Sequence, residues 1–91
     1  MNETKSYTRT ATSFGGMLKS IRRFHRKTQD EAAKILGIAK QSVCRIESDR
    51  AKTISIDFVK KVCNKMMCEI YCHVNAQNER WEAIVEDQEI E

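Results

Sequence analysis

A mainly α domain of four to five helices, closed by a C-terminal β-strand that pairs across a homodimer, is the fold class this sequence predicts. Three observations carry it. Apolar residues recur at helical spacing between residues 13 and 66. A lone glycine, Gly37, separates two short amphipathic stretches inside that region. From Cys68 to Val74 the period drops to two.

Residues 1–12 are polar and rich in threonine, and are expected to form a mobile N-terminal arm whose Lys5 and Arg9 can reach phosphates. The first helix is expected over residues 13–26, with Phe14, Leu18, Ile21 and Phe24 on one face and Lys19, Arg22, Arg23, Arg26 and Lys27 on the other. Gly15 and Gly16 weaken its first turn. Helices two and three follow at about 29–36 and 39–47. Thr28 caps helix two, and Glu31 answers it three residues on, as in a capping box. Ser48 to Thr53 is a polar loop. Ser55 caps a fourth helix of about 56–66, with Ile56, Val59, Val62, Cys63 and Met66 inward and Phe58 beside them.

In 67–74, Cys68, Ile70, Cys72 and Val74 alternate with Glu69, Tyr71 and His73, which favours a strand. Met67, Ile70, Tyr71 and Val74 also fit a short fifth helix. A single strand leaves its backbone groups unpaired, so the strand reading calls for the same strand of a second copy. Residues 75–91 form an acidic tail. Its Trp81, Ile84 and Val85 make a small apolar stripe at helical spacing: a disordered tail, a helix folded back on the domain, or a partner-binding segment.

Ninety-one residues allow one small domain, and the net charge of +3 hides an asymmetry. Residues 1–74 carry +8 and residues 75–91 carry −5, so the main body has the sign for a polyanion. No apolar run approaches a membrane span, and no signal-peptide pattern precedes Phe14, so a cytoplasmic protein is expected. Cys44, Cys63, Cys68 and Cys72 form no CxxC pair and read as reduced thiols. A metal- or redox-responsive regulator built on Cys68, Cys72 and His73 is the alternative from another class. An enzyme is not expected: His25 and His73 have no evident partners, and no phosphate loop or carboxylate pair stands out. No metal or cofactor is expected.

Thr28 to Glu47 has the spacing of a DNA-binding helix-turn-helix, with Ala32, Ala33, Leu36, Ile38, Val43 and Ile46 at its apolar positions. Its second helix carries Lys40, Gln41, Ser42, Cys44 and Arg45 outward, groups suited to base edges in a major groove. Lys19, Arg23, Arg50 and Lys52 are the candidate phosphate contacts beside them.

Residues 14–66 resemble the Cro/lambda-repressor-like helix-turn-helix, the XRE family. The matching residues are Leu18, Ile21, Arg22, Thr28, Gln29, Ala33, Gly37, Ile38, Val43, Ile46 and Glu47. The resemblance implies that Gln29 contacts phosphate, Gln41 reads adenine, and Arg45 reads guanine or clamps phosphate. It also implies that Arg22 and Glu47 pair to hold the reading helix. The chain departs from the family in having Arg26 and Lys27 before Thr28 where a glycine is usual, Ala39 at the cap of the reading helix, and Cys44 where serine is commoner. The strand and the short tail with a lone tryptophan resemble, in arrangement, the HipB type of antitoxin. That resemblance implies a homodimeric repressor on a palindromic operator of double-stranded DNA, which also binds a HipA-like kinase toxin and regulates its own operon. A stand-alone phage, plasmid or chromosomal repressor of the XRE type is the alternative.

Overall fold

A computed structural model describes residues 4–51 and 53–90. Seven elements follow in order: β1 (Ser6–Ala11), α1 (Phe14–Phe24), α2 (Gln29–Leu36), α3 (Lys40–Glu47), α4 (Ile56–Lys65), β2 (Cys68–Val74) and β3 (Glu79–Glu86). The strands form one antiparallel sheet in the order β1-β3-β2. The fold is therefore α+β, which corrects the mainly α expectation. The four helices fall where the sequence places them. The two ends of the chain do not.

The expected arm over residues 1–12 contains β1, and the expected acidic tail over 75–91 contains the central strand, β3. Trp81, Ala83 and Val85 alternate with outward Glu82, Ile84 and Glu86, so the tail's apolar residues follow a strand period and not a helical one. A hairpin at residues 75–78 returns the chain. Asn75 Oδ1 accepts the backbone N–H groups of Gln77 and Asn78, both at 2.9 Å. The backbone partner of Cys68, Ile70, Cys72 and Val74 is thus β3 of the same chain, opposite Val85, Ala83, Trp81 and Glu79 respectively. The inference of a seam between two copies assumed that the chain held no second strand, and that assumption fails.

One sheet face packs on the helices. Val85 and Ala83 are fully buried there with Met17, Leu18, Ile21, Leu36, Val62 and Met66, and Cys68 and Ile90 join the same core. Burial at this scale, roughly 25 cal/mol per Å² of apolar surface, is what holds short helices that are marginal alone. Trp81 packs edge-on against Phe14 at 5.2 Å between ring centroids, and Phe14 meets Phe58 at 6.1 Å. Three residues expected to be buried lie outside: Ile56, in the first turn of α4, is 71% exposed, Val74 at the end of β2 is 72% exposed, and Cys72 is exposed as well.

All four helices are followed by a left-handed residue, α4 by Met67 (φ 52°), and only one of the four is a glycine; the first three share one hydrogen-bond pattern. After α1, Arg26 (φ 58°) donates to the Arg23 carbonyl at 3.0 Å and Lys27 to that of Arg22 at 3.1 Å. After α2, Gly37 (φ 70°) and Ile38 repeat the pattern onto Lys34 and Ala33. After α3, Asp49 (φ 61°) and Arg50 repeat it onto Ile46 and Arg45. Each is a Schellman closure, which satisfies carbonyls that the helix end leaves without partners.

Candidate nucleic-acid interface

The α2–turn–α3 unit forms from local signals. Thr28 accepts from the Glu31 backbone N–H at 3.1 Å, and the Glu31 carboxylate accepts from the Thr28 N–H at 2.9 Å, closing the capping box. These hydrogen bonds from Thr28 hold the Glu31 carboxyl below its ordinary value. Gly37 turns the chain in the left-handed region, and Ala39 enters α3 with extended backbone and no side-chain cap. Val43 anchors α3 with no exposure.

A polar cluster fixes α3 against α1 and α2. Arg22 Nε donates to Glu47 Oε2 at 2.7 Å, and Arg22 Nη2 donates to Glu47 Oε1 at 2.9 Å. Arg22 Nη1 donates to the Lys27 carbonyl at 2.9 Å, so one guanidinium ties α1 both to α3 and to the turn before α2. Gln29 Nε2 adds a third donor to Glu47 Oε1 at 3.1 Å. The Glu47 side chain is 3% exposed and that of Arg22 11%. Hydrogen bonding to Glu47 raises the Arg22 pKa, against the opposing effect of burial. Gly15 completes the junction: a Cβ there would run into the Ile46 carbonyl oxygen and Asp49 Oδ1, so this turn of α1 approaches α3 only without a side chain.

The sequence-derived site residues divide into three groups. Lys40, Gln41 and Arg45 are exposed on α3, and Ser42 is half-buried in a cleft with Thr53, Ser55 and Phe58. Val43, Ile46 and Glu47 face inward, which leaves Gln41 and Arg45 near the middle of the outward side. Cys44 belongs elsewhere. It is half-buried, and its thiol donates to Gln29 Oε1 at 3.0 Å. Both ends of the Gln29 amide are thereby engaged within the protein, the oxygen by Cys44 and one of the two N–H groups by Glu47. Helical spacing put Cys44 outward; the side chain across the turn decided its direction.

Arg50 is exposed just past α3, with Nε donating to Ser48 Oγ at 2.9 Å. Lys19 is half-exposed and Arg23 exposed on the outer side of α1. Lys52 lies outside the described residues. The tail's partner-binding set is absorbed by the sheet: Val85 is fully buried, Trp81 is packed on Phe14, and Ile84 is half-buried opposite Thr8 and Glu69.

The metal and redox set does not converge. Cys68 and Cys72 share the helix-facing side of β2, and His73 points to the opposite face. Burial pushes the Cys68 thiol up to about 12, with the Cys63 thiol beside it adding to the effect. No group of three or more His, Cys, Asp or Glu side chains suited to a metal occurs among the described residues. His25 has a structural partner: its Nε2 faces the Met66 carbonyl at 2.7 Å, and a carbonyl only accepts, so that nitrogen carries the proton.

Glu69, Glu82 and Glu86 lie on the face turned away from the helices, while Lys19, Arg23, Lys40, Arg45 and Arg50 lie on the helical side. The other acidic residues of the tail lie elsewhere: Glu79 lines a cleft with Ile46 and Asp49, and Asp87 and Glu89 line one with Arg26 and Lys27. Among the described residues, no helix is long and apolar enough to cross a membrane. No family model matches the chain, and no characterised protein or solved structure matches it significantly.

Proposed function

We propose that the protein is a sequence-specific DNA-binding regulator of transcription, acting as a repressor. It reads duplex DNA with α3 in the major groove. The observation that supports this best is the rigid presentation of Lys40, Gln41 and Arg45 by a helix held in place through Arg22, Gln29, Cys44 and Glu47. Gln41 has the donor and acceptor pair for adenine, and Arg45 the fork for guanine; each good bidentate contact is worth about 1–3 kcal/mol of discrimination. Lys40 and Arg50 neutralise phosphates and add affinity without sequence information. Resemblance to the XRE family points the same way, as does the charge on the helical side.

Two copies on a palindromic operator, with half-sites about one helical turn apart, complete the proposal. It places the protein in the cytoplasm, where DNA is reached and the four free thiols stay reduced. A HipB-like role with a kinase toxin has less to rest on than the sequence suggested. The segment that offered a tryptophan anchor, Trp81 to Val85, is occupied in the central strand. The test is selection of duplexes from a random pool by the full-length protein. Enrichment of a palindrome supports the proposal; retention of DNA without any sequence enrichment removes the repressor reading.

A further inference from the structure

A second basic feature lies apart from α3. Strand β1 brings Arg9 against the outer side of α1, where Arg9, Lys19 and Arg23 line one open cleft of about 350 Å³ with Gly16, Ser20 and Phe24. No carboxylate lines it. Three cations in one cleft repel each other, and among the described residues the only ion pairs are Arg22–Glu47 and Lys34–Asp30. No anionic side chain in the cleft offsets that repulsion.

Arg9 is also held in position. Its Cζ sits 5.0 Å from the centre of the Phe24 ring, and its Nη1 donates to the Thr8 carbonyl at 3.0 Å. Phe24 is fixed in turn by Tyr7 at 5.5 Å and His25 at 5.2 Å between centroids. The remaining guanidinium donors of Arg9 have no partner among the described residues. A planar fork held on a ring loses little freedom when it binds an oxyanion, which is the advantage of arginine at phosphate sites. Lys19 and Arg23 add charge from successive turns of α1, and the Ser20 hydroxyl adds a donor.

We propose that Arg9, Lys19 and Arg23 form a phosphate-binding site, separate from α3 and completed by β1. The ligand chemistry is a phosphate oxyanion, supplied either by the backbone of duplex DNA or by a free phosphate compound. The DNA source rests on the function proposed above; the site itself does not.

The experiment uses the full chain, its Arg9→Gln/Arg23→Gln variant, and a charge-matched control, Lys61→Gln/Lys65→Gln, on exposed positions of α4. Thermal melts first establish that all three are folded. One arm measures affinity for a random-sequence duplex across salt concentrations. The other follows backbone amide resonances of Gly16 and Ser20 during titration with inorganic pyrophosphate, against sodium chloride at equal ionic strength. The expected result is a log–log salt slope shallower by about one unit in the Arg9/Arg23 variant and unchanged in the control. That loss identifies DNA as a source. Saturable pyrophosphate shifts that vanish in the Arg9/Arg23 variant identify a free phosphate compound as a source. Pyrophosphate binding by a protein that ignores duplex DNA supports the site and overturns the DNA-binding function instead. An unchanged slope together with no specific pyrophosphate response overturns the site.

Discussion

Replacing Glu47 by alanine tests the junction that orients α3. The carboxylate is almost wholly buried and accepts three N–H groups, two from Arg22 and one from Gln29. Its loss leaves a guanidinium that is nine-tenths buried with one acceptor, the Lys27 carbonyl. Breaking one side of such a pair costs about 3–5 kcal/mol, because an uncompensated charge stays inside. Domains of this size unfold with about 5–15 kcal/mol in total, and each kcal/mol shifts the midpoint by about 4–8 °C. The Tm of Glu47→Ala is therefore expected to fall by at least about 12 °C. Urea unfolding followed through the fluorescence of Trp81, the one tryptophan, gives the free energy. The denaturant slope is expected to hold, because the exposed surface on unfolding does not change. Arg22→Met/Glu47→Leu should be more stable than Glu47→Ala, since it removes both charges and refills the volume. A cost below about 1 kcal/mol for Glu47→Ala would place the pair among solvated surface ion pairs and refute this reasoning. Additive costs in the cycle Arg22→Met, Glu47→Leu and the double variant would do the same.

Other consequences follow from single positions. Arg26 holds a left-handed φ of 58° where glycine would carry no steric penalty, so Arg26→Gly should raise stability by up to about 1 kcal/mol in urea unfolding; a loss of stability would contradict the closure described for α1. With its folded pKa below the ordinary 4.5, Glu31 contributes stability that is present above that value and is lost as pH falls through the folded pKa. Thr28→Ala should therefore narrow its stability gap to the wild type as unfolding is measured from pH 7 down towards pH 3. In the native protein at pH 8, exposed Cys72 should take up iodoacetamide while Cys68, buried and raised to about 12, stays unmodified until urea unfolds the chain; peptide mass spectrometry reads both.

The helices were readable because their signals are local. Thr28 and Glu31 cap one another across a single turn, Gly37 marks its own left-handed turn, and Ser55 accepts from the Phe58 N–H at 3.1 Å. The Arg22–Glu47 pair spans α1 and α3, and only a family resemblance brought it into view. The outer strands escaped because each depends on a distant partner. Ser6 to Ala11 is mostly polar and exposed, and becomes a strand only beside β3. In β3 three glutamates are interspersed with four apolar residues, of which Trp81, Ala83 and Val85 turn inward at period two. Counting Ile84 with Trp81 and Val85 gave a helical stripe; counting Ala83 instead gives the strand. Asn75 and Asn78 on either side of the turn were the available hairpin signal.

The DNA-reading assignment to α3 is tested most directly by repeating the selection from a random pool with Gln41→Ala/Arg45→Ala beside the wild type. Loss of the selected motif, with affinity for random duplexes retained, is the predicted result. An unchanged motif in the variant would show that α3 is not the reading element.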